Sequence, residues 1–480
     1  MSNPLAQLAK VGQSVWYDQM ERKLISTGKL QKMIEQDDLR GLTSNPTIFE
    51  KAIAGSEDYD TQLRQLASQN RSRDEIYEEL VIEDIGNAAD VFRPVYDKTK
   101  GLDGYVSLEV SPLLARNTDA TIAEAKKLFG RLGKKNLMIK IPGTPEGLPA
   151  IEEAIASGIN VNVTLIFNND QYAAVIDAYM KGLERRVAAN QPVGDISSVA
   201  SFFVSRIDAA AEKLMDAKIA EKNDPQFKKD AESLYAKIAI ANAKTAYELF
   251  QKSFTSDRFK KLAAKGARVQ RPLWASTGTK SAKYSDVMYP EALIGPDTVD
   301  TMPPATYEAF RDHGKVRPTL EENFAEAHAV LKKFADLGFS LKALTEKLTE
   351  DGVKSFADSF VSLMSVIEAR RDAAVRGLSE RITFHLSRDQ QAAVDTAAQR
   401  ADKEKFVERV WKKDASLWKQ DEAHQKIIKN ALGWLPVVEQ MQKEAGEIVG
   451  FAESVRSEFS HVVVLGMGGS SLCSEVTRRV

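Results

Sequence analysis

Residues 137–142 read LMIKIP, and the alternation of side chains in this stretch is typical of a β-strand. The odd-numbered residues are aliphatic and point to one side, so Lys140 shares the other side with Met138. Burying a charged lysine within an apolar strand costs free energy. Two interpretations are therefore open. Lys140 is an edge-strand residue that reaches solvent or joins an ion pair, or it is a buried amine that attacks a carbonyl and forms a Schiff base.

Similar strand-like runs occur on both sides of this stretch, with helical patterns between them. The eight runs are residues 13–18, 40–44, 105–110, 137–141, 160–167, 198–205, 269–275 and 296–302. Strands that alternate with helices predict a parallel sheet, and eight such repeats predict an α/β fold of the closed (β/α)8 TIM-barrel type. Helical patterns at 320–339 and 341–371 predict extra helices that pack on the outside of the barrel. We expect residues 1–376 to form this barrel domain.

Composition excludes several classes of function. The chain has 480 residues, with 66 Lys and Arg against 68 Asp and Glu, so no overall basic field favours nucleic acid. The single cysteine, Cys473, excludes an internal disulfide and a thiolate metal cage, and the five histidines are scattered. We therefore expect no metal and no cofactor. The absence of a signal peptide and of a membrane-length apolar run predicts a cytoplasmic protein without a membrane partner, and the oligomeric state is not predicted.

Polar residues at the C-terminal ends of the predicted strands indicate where the chemistry lies, because active sites of parallel barrels are built there. In the fifth strand, Asn160, Asn162 and Thr164 alternate with aliphatic residues and are predicted to face the barrel interior, with exposure to water as the alternative. Arg206 and Ser276 end adjacent strands and together suit a phosphate group, although Arg206 alone is also compatible with a surface ion pair.

Four motifs in this chain resemble the transaldolase family. They are GLTSNPTIF at 41–49, LEV at 108–110, IKIP at 139–142 and GINVNVTLIF at 158–167. The resemblance covers about residues 5–370 and extends to SVWYD at 14–18 and WASTG at 274–278, as in the longer bacterial form. It implies a class I aldolase barrel that transfers a dihydroxyacetone unit in the non-oxidative pentose phosphate pathway. The donor would be sedoheptulose 7-phosphate or fructose 6-phosphate, and the acceptor glyceraldehyde 3-phosphate or erythrose 4-phosphate.

The resemblance also implies roles for individual residues. Lys140 would form the Schiff base, Asp18 would be the acid/base for cleavage of the carbon–carbon bond, and Glu109 and Thr164 would hold a catalytic water. The donor's hydroxyl groups would be bound by Asn45, Thr43, Asn162 and Ser201, and its phosphate by Arg206 and Ser276. Some family members carry a second phosphate-binding arginine where this chain has Gly278, and Lys280 is predicted to replace it.

Two other functions are compatible with the same residues. One is a fructose-6-phosphate-type aldolase, which releases the three-carbon unit instead of transferring it. The other is a non-catalytic regulator that binds sugar phosphates.

The end of the chain has a different character. Residues 461–472 read HVVVLGMGGSSL and resemble the first phosphate-binding loop of glucose-6-phosphate isomerase, in which backbone amides and hydroxyls approach a phosphate. The loop residues are Gly466, Gly468, Gly469, Ser470 and Ser471. The resemblance implies that residues 377–480 are the N-terminal fragment of an isomerase-like domain in a bifunctional fusion. Because nine residues follow Ser471, we expect an incomplete α/β segment, with isomerase activity only in a full-length fusion.

Overall fold

The computed structural model describes residues 3–279, 281–375, 386–456 and 458–459. The chain divides into two compact units, residues 1–383 and 384–480. No helix in the described ranges combines the length and the apolar character needed to cross a membrane.

Eight parallel strands form a closed barrel in which each strand pairs with the next and the last pairs with the first. The strands are β1 (Gln13–Asp18), β2 (Gly41–Thr43), β3 (Tyr105–Glu109), β4 (Leu137–Pro142), β5 (Val161–Ile166), β6 (Ser198–Phe203), β7 (Arg271–Ala275) and β8 (Thr298–Met302). The prediction of a (β/α)8 barrel is confirmed. Several predicted strands are too long, and Ser205, expected at the end of β6, instead begins a helix because Val204 already has helical backbone angles.

Helices surround the barrel and connect its strands. They are α1 (Leu5–Leu8), α2 (Arg22–Ser26), α3 (Lys29–Asp37), α4 (Pro46–Ala54), α5 (Asp60–Ser68), α6 (Arg73–Lys98), α7 (Thr118–Leu132), α8 (Gly147–Ala156), α9 (Asn169–Ala188), α10 (Ser205–Lys222), α11 (Pro225–Glu232), α12 (Ile238–Phe254), α13 (Asp257–Ala263), α14 (Met288–Ala292), α15 (Pro304–His313), α16 (Phe324–Asp336) and α17 (Leu341–Val375). Short 3-10 turns occur at Ala9–Val11 and Pro112–Leu114. Asn45, Asn117 and Asn168 begin α4, α7 and α9, and each side chain accepts a hydrogen bond from a backbone N–H of the first turn.

Helix α17 differs from the expectation. We expected the helix predicted at 341–371 to pack on the outside of the barrel, but α17 also contacts α4 and β5 and brings Ser355 and Phe356 to the barrel mouth. Gly352 allows this approach, because a Cβ there would lie 2.9 Å from Leu165 Cδ2. Leu165 itself has φ +59° and lies at a register shift in β5, a strained arrangement of the kind found near functional sites.

The strand register identifies the side chains inside the barrel, since paired residues on neighbouring parallel strands point to the same side. Lys140 pairs with Glu109 on β3 and with Asn162 on β5, so all three side chains point inward. The lower interior is filled by Trp16 and by a buried ion pair in which Arg271 Nη2 lies 2.8 Å from Asp103 Oδ1. The upper interior is thus left for a ligand.

Gly41 is required by the large ring of Trp16, its partner in the neighbouring strand. A Cβ at residue 41 would overlap the buried indole. We expect Gly41→Ala to lower the free energy of unfolding by about 1–3 kcal/mol, because the ring has no room to move in a packed barrel. Urea denaturation measures this change.

A second glycine provides the control for this experiment. Gly130 is exposed in α7 and a Cβ there meets no atom within 4 Å, so Gly130→Ala should raise stability by about 0.5–1 kcal/mol through helix propensity. Equal effects of the two substitutions would contradict the steric account of Gly41.

The second unit is helical in its described part. Its helices are α18 (Arg388–Lys403), α19 (Phe406–Trp411), α20 (Glu422–Ala431) and α21 (Val437–Arg456), with 3-10 turns at Ala415–Leu417 and Leu432–Trp434. Helices α18 and α19 are separate because Lys405, which lies between them, has a left-handed φ of +51°. The segment 461–472 with its predicted loop residues Gly466, Gly468, Gly469, Ser470 and Ser471 lies outside the described residues, as does Lys280.

Candidate active site

Lys140 lies at the centre of the barrel mouth, and the residue is only 4% exposed. Its Nζ is 3.2 Å from Glu109 Oε2 and donates a hydrogen bond of 3.1 Å to the carbonyl oxygen of Ser44. Because β4 is enclosed between β3 and β5, Lys140 cannot be an edge-strand lysine that reaches solvent. It is a buried amine paired with one carboxylate, and it faces a cavity.

Glu109 is a buried carboxyl with an unusual affinity for protons. Burial raises the pKa of Glu109 above its ordinary value, the neighbouring Lys140 ammonium opposes this rise, and the charge of Asp18 adds to it. Glu109 therefore holds a proton more readily than an exposed glutamate. A lysine and a carboxyl at this distance can exchange a proton directly.

Asp18 ends β1 at the rim of the same cavity. Thr43, its register partner on β2, donates a hydrogen bond of 2.6 Å from Oγ1 to Asp18 Oδ1. The hydroxyls of Thr43 and Thr301 lie 2.7 Å apart, and since Thr43 gives its proton to Asp18, Thr301 donates to Thr43. This chain of hydrogen bonds fixes one oxygen of the Asp18 carboxylate. Thr43 thus orients Asp18.

The fifth strand contributes two polar groups to the barrel interior. Asn162 donates to Ser107 Oγ at 3.1 Å and accepts a hydrogen bond of 2.7 Å from Ser201 Oγ. Thr164 lines the cavity, and its buried Oγ1 has no hydrogen-bond partner within the described part of the chain. A buried hydroxyl in this state suits a water or a ligand group.

Asn160 differs from these two residues. It precedes β5, and its amide nitrogen donates to the backbone carbonyls of Lys135 and Leu137. Its role is therefore structural.

Arg206 and Ser276 both line the cavity. The Ser205 and Ser276 hydroxyls are 3.0 Å apart, and Ser276 has a left-handed φ of +56°. The Arg206 guanidinium stacks on Phe203 at 5.2 Å and has no carboxylate within ion-pair distance in the ranges that the structure describes. Burial lowers the pKa of Arg206, and the charge of Asp18 opposes this. An ion pair with Asp208 does not form, because Asp208 accepts hydrogen bonds from Ala239 N and Tyr289 OH.

The loop that carries Ser276 is tied to β8 by a buried carboxyl. Thr277 Oγ1 donates to Asp300 Oδ1 at 3.0 Å, and burial raises the pKa of Asp300 to about 8. The unfolded chain loses this proton near pH 4, so between pH 4 and 8 the folded state binds more protons. The free energy of unfolding should therefore fall as pH rises through this window, by up to about 5 kcal/mol.

Comparison with Asp300→Asn isolates this effect, since an amide keeps the shape of the neutral carboxyl. We expect the variant to gain stability relative to the parent protein between pH 5 and 8 in urea denaturation. Asp119→Asn, at an exposed position of α7, should follow the parent profile. If the free energy of unfolding of Asp300→Asn and of the parent changed in parallel with pH, the proposal that Asp300 is a neutral carboxyl in the folded state would be contradicted.

The cavity has a volume of about 330 Å³. The predicted residues that line it are Asp18, Thr43, Asn45, Lys140, Thr164, Ser201, Arg206 and Ser276. Glu109 and Asn162 lie behind this surface and contact Lys140 and Ser201, respectively. Sequence reasoning did not assign eleven further lining residues to the site, among them Gln19, Lys51, Phe203, Ser355 and Phe356. Lys51 could have been predicted as a lining residue, because it lies in α4 shortly after the GLTSNPTIF motif. Nothing in the local sequence marks Phe356 as different from the other apolar residues of its helix.

Comparison with known proteins agrees with this geometry. Residues 15–367 match the protein family described as Transaldolase/Fructose-6-phosphate aldolase. The chain belongs to this family. The transaldolase of Trichodesmium erythraeum is 46% identical over 372 residues, which cover 77% of this chain and 98% of that protein. The transaldolase of a Parafrankia species is 47% identical over 375 residues, covering 78% and 100%, and that of Thermobifida fusca is 46% identical over 365 residues, covering 76% and 97%.

The prediction of a transaldolase-type enzyme of the transferase class is thereby confirmed. The family match ends at residue 367. The resemblance of residues 461–472 to an isomerase lies beyond it and stays a prediction.

Proposed function

We propose that this protein transfers a dihydroxyacetone unit between sugar phosphates through a Schiff base on Lys140. The donor is fructose 6-phosphate or sedoheptulose 7-phosphate, and the acceptor is erythrose 4-phosphate or glyceraldehyde 3-phosphate. One observation carries the proposal. The buried Lys140 amine, 3.2 Å from Glu109, faces the cavity that Asp18 and Arg206 also line.

Imine formation begins with a neutral amine. The Lys140 ammonium gives a proton to the Glu109 carboxylate, whose raised pKa favours this transfer, and the amine attacks the ketose carbonyl. Glu109 then protonates the departing hydroxyl of the carbinolamine, and water leaves. The hydroxyl of Thr164 lines the cavity and binds this water. The product is an iminium that draws electrons from the neighbouring carbon–carbon bond.

Asp18 carries out the cleavage. Its carboxylate removes the proton of the hydroxyl on the carbon beyond the scissile bond, the aldose phosphate leaves, and the bonding electrons form an enamine on Lys140. An incoming aldehyde reverses these steps, with Asp18 returning the proton to the new alkoxide. The hydrogen bond from Thr43 supports this role because it holds the carboxylate in a fixed orientation.

Arg206 and Ser276 bind the phosphate in this proposal, and Lys51 supplies a second cation. Arg206 is half-buried at the cavity and free of carboxylate partners among the described residues, which leaves it available to an anion. Lys51 lies at the rim on α4. Lys280, the residue first assigned this second role, lies outside the described residues.

We expect Arg206→Ala to raise KM for fructose 6-phosphate by roughly 10–100-fold with a smaller change in kcat, because the phosphate is held equally in ground and transition states. Lys51→Ala should have a smaller effect on KM in the same direction. Steady-state kinetics with unphosphorylated fructose are the control, since neither substitution should alter them. A loss confined to kcat would contradict the phosphate-binding role.

Product analysis separates the proposed transferase from its rivals. With fructose 6-phosphate and erythrose 4-phosphate, a transaldolase forms sedoheptulose 7-phosphate, whereas a fructose-6-phosphate-type aldolase releases dihydroxyacetone. A sugar-phosphate-binding regulator forms neither product and leaves no adduct on Lys140 after borohydride reduction. Formation of free dihydroxyacetone alone would replace the proposal with the aldolase.

Residues 377–480 are assigned separately, from sequence resemblance alone, as the N-terminal part of a glucose-6-phosphate isomerase-like domain. The glycines and serines at 466–471 support a phosphate-binding loop. Hydrogen exchange of residues 461–472 with and without glucose 6-phosphate tests this assignment. An unchanged exchange rate at saturating sugar phosphate would contradict it.

A further inference from the structure

Helix α17 is fixed across the barrel mouth by polar contacts on both sides of Phe356. On the N-terminal side of Phe356, Thr345 Oγ1 accepts a hydrogen bond of 3.1 Å from Asn168 Nδ2. After it, Ser359 Oγ and Thr47 Oγ1 lie 2.9 Å apart, and Arg370 Nη1 donates to Ile53 O at 2.7 Å. These contacts join the helix to α4 and to the segment after β5. The position of Phe356 is therefore set by the fold.

Phe356 presents an aromatic surface to the amine of Lys140. Its ring centroid lies 5.6 Å from Nζ, it is 3% exposed, and it lines the cavity. An aromatic face at this distance attracts a cation, and both the ammonium and the iminium are cations. The other neighbours of Nζ described above, Glu109 and the Ser44 carbonyl, are polar. Phe356 thus forms an apolar wall beside the reacting nitrogen.

The enamine formed on Lys140 has two fates. In transfer, its nucleophilic carbon forms a bond with the aldehyde carbon, the aldehyde oxygen takes a proton from Asp18, the nitrogen becomes an iminium, and water hydrolyses this iminium to the new ketose phosphate and the free amine. In release, the same carbon takes a proton from water, the nitrogen becomes an iminium, and water hydrolyses it to dihydroxyacetone and the free amine. The two routes differ in whether the electrophile is an aldehyde or a proton that arrives with water.

We propose that Phe356 shields the enamine on Lys140 from protonation by bulk water and thereby directs it to an aldehyde acceptor. Phe356 is a positioning residue that excludes solvent and takes no proton itself. The inference rests on the proposed Schiff-base function and names the group that favours transfer over release. It assigns a role in the reaction to the C-terminal helix of the first unit.

The test is the ratio of dihydroxyacetone released to sedoheptulose 7-phosphate formed, with fructose 6-phosphate and erythrose 4-phosphate at fixed concentrations. We expect this ratio to rise roughly tenfold in Phe356→Ala and less in Phe356→Leu, because leucine keeps part of the apolar wall. Both products are quantified in one reaction by NMR. The Leu variant decides the outcome if the Ala variant does not fold.

Phe360→Leu is the matched control. Phe360 lies one turn further along the same helix, packs against Tyr77 with ring centroids 5.2 Å apart, and does not line the cavity. It should lower stability without changing the product ratio. An unchanged ratio in the folded Phe356 variants, or equal losses of both products, would overturn the inference. Failure of the parent protein to form a borohydride-stable adduct on Lys140 would instead overturn the Schiff-base function itself.

Discussion

Lys140→Met should lower kcat by a factor of roughly 10⁴ or more. A thioether cannot form an imine, so the variant has no iminium to accept the electrons of the breaking carbon–carbon bond. Methionine is similar in length to lysine and replaces its aliphatic stem with another apolar chain, so the barrel should remain folded. The variant should also remove the mass adduct that fructose 6-phosphate leaves on the parent protein after borohydride reduction. Phosphate binding at Arg206 should persist, measured as protection against thermal unfolding by inorganic phosphate.

A second buried lysine supplies the control. Lys244 Nζ donates to the carbonyls of Thr319 at 2.6 Å and Glu322 at 2.7 Å, and it does not line the cavity. Lys244→Met leaves these acceptors without their donor and should lower stability by about 1–3 kcal/mol while the adduct on Lys140 still forms. Substantial turnover in Lys140→Met, or an adduct on another lysine, would refute the assigned nucleophile.

Asp18→Asn should lower kcat by roughly 10²–10⁴-fold, the range expected when a general acid/base is removed. The amide cannot accept the proton of the sugar hydroxyl, so the carbon–carbon bond stays intact after the imine has formed. The variant should therefore accumulate a covalent adduct that retains the whole six-carbon donor. Mass spectrometry after borohydride reduction distinguishes this adduct from the three-carbon adduct.

Thr43→Val tests the orientation of Asp18 without removing its carboxylate. Loss of the 2.6 Å hydrogen bond should reduce kcat by roughly tenfold and leave the three-carbon adduct in place. A three-carbon adduct in Asp18→Asn would show that another base carries out the cleavage, and Glu109 would be the next candidate.

Much of the barrel could be predicted from the alternation of side chains within short segments of the sequence. The alternation of side chains in residues 13–18 and 137–142 identifies strands because a strand places successive side chains on opposite faces. The polar residues at strand ends then fall on one rim, since parallel strands end together. Lys140, Asp18 and Arg206 were found in this way. Strand ends were predicted less accurately, as Ser205 illustrates, because hydrogen bonding rather than residue type determines where a strand stops.

The sequence by itself determined the barrel, its family and eight of the residues that line the cavity, because these depend on the period of the side-chain pattern and on motifs within short segments. Tertiary structure alone decided that α17 closes the mouth and that Phe356 lies beside Lys140. It also decided that Gly41 makes room for Trp16 and that Asp300 is a buried acid under the Ser276 loop. Each of these relations joins residues far apart in the chain or on different strands. Burial and proximity of this kind arise only when the strands close into a barrel and the last helix packs across it.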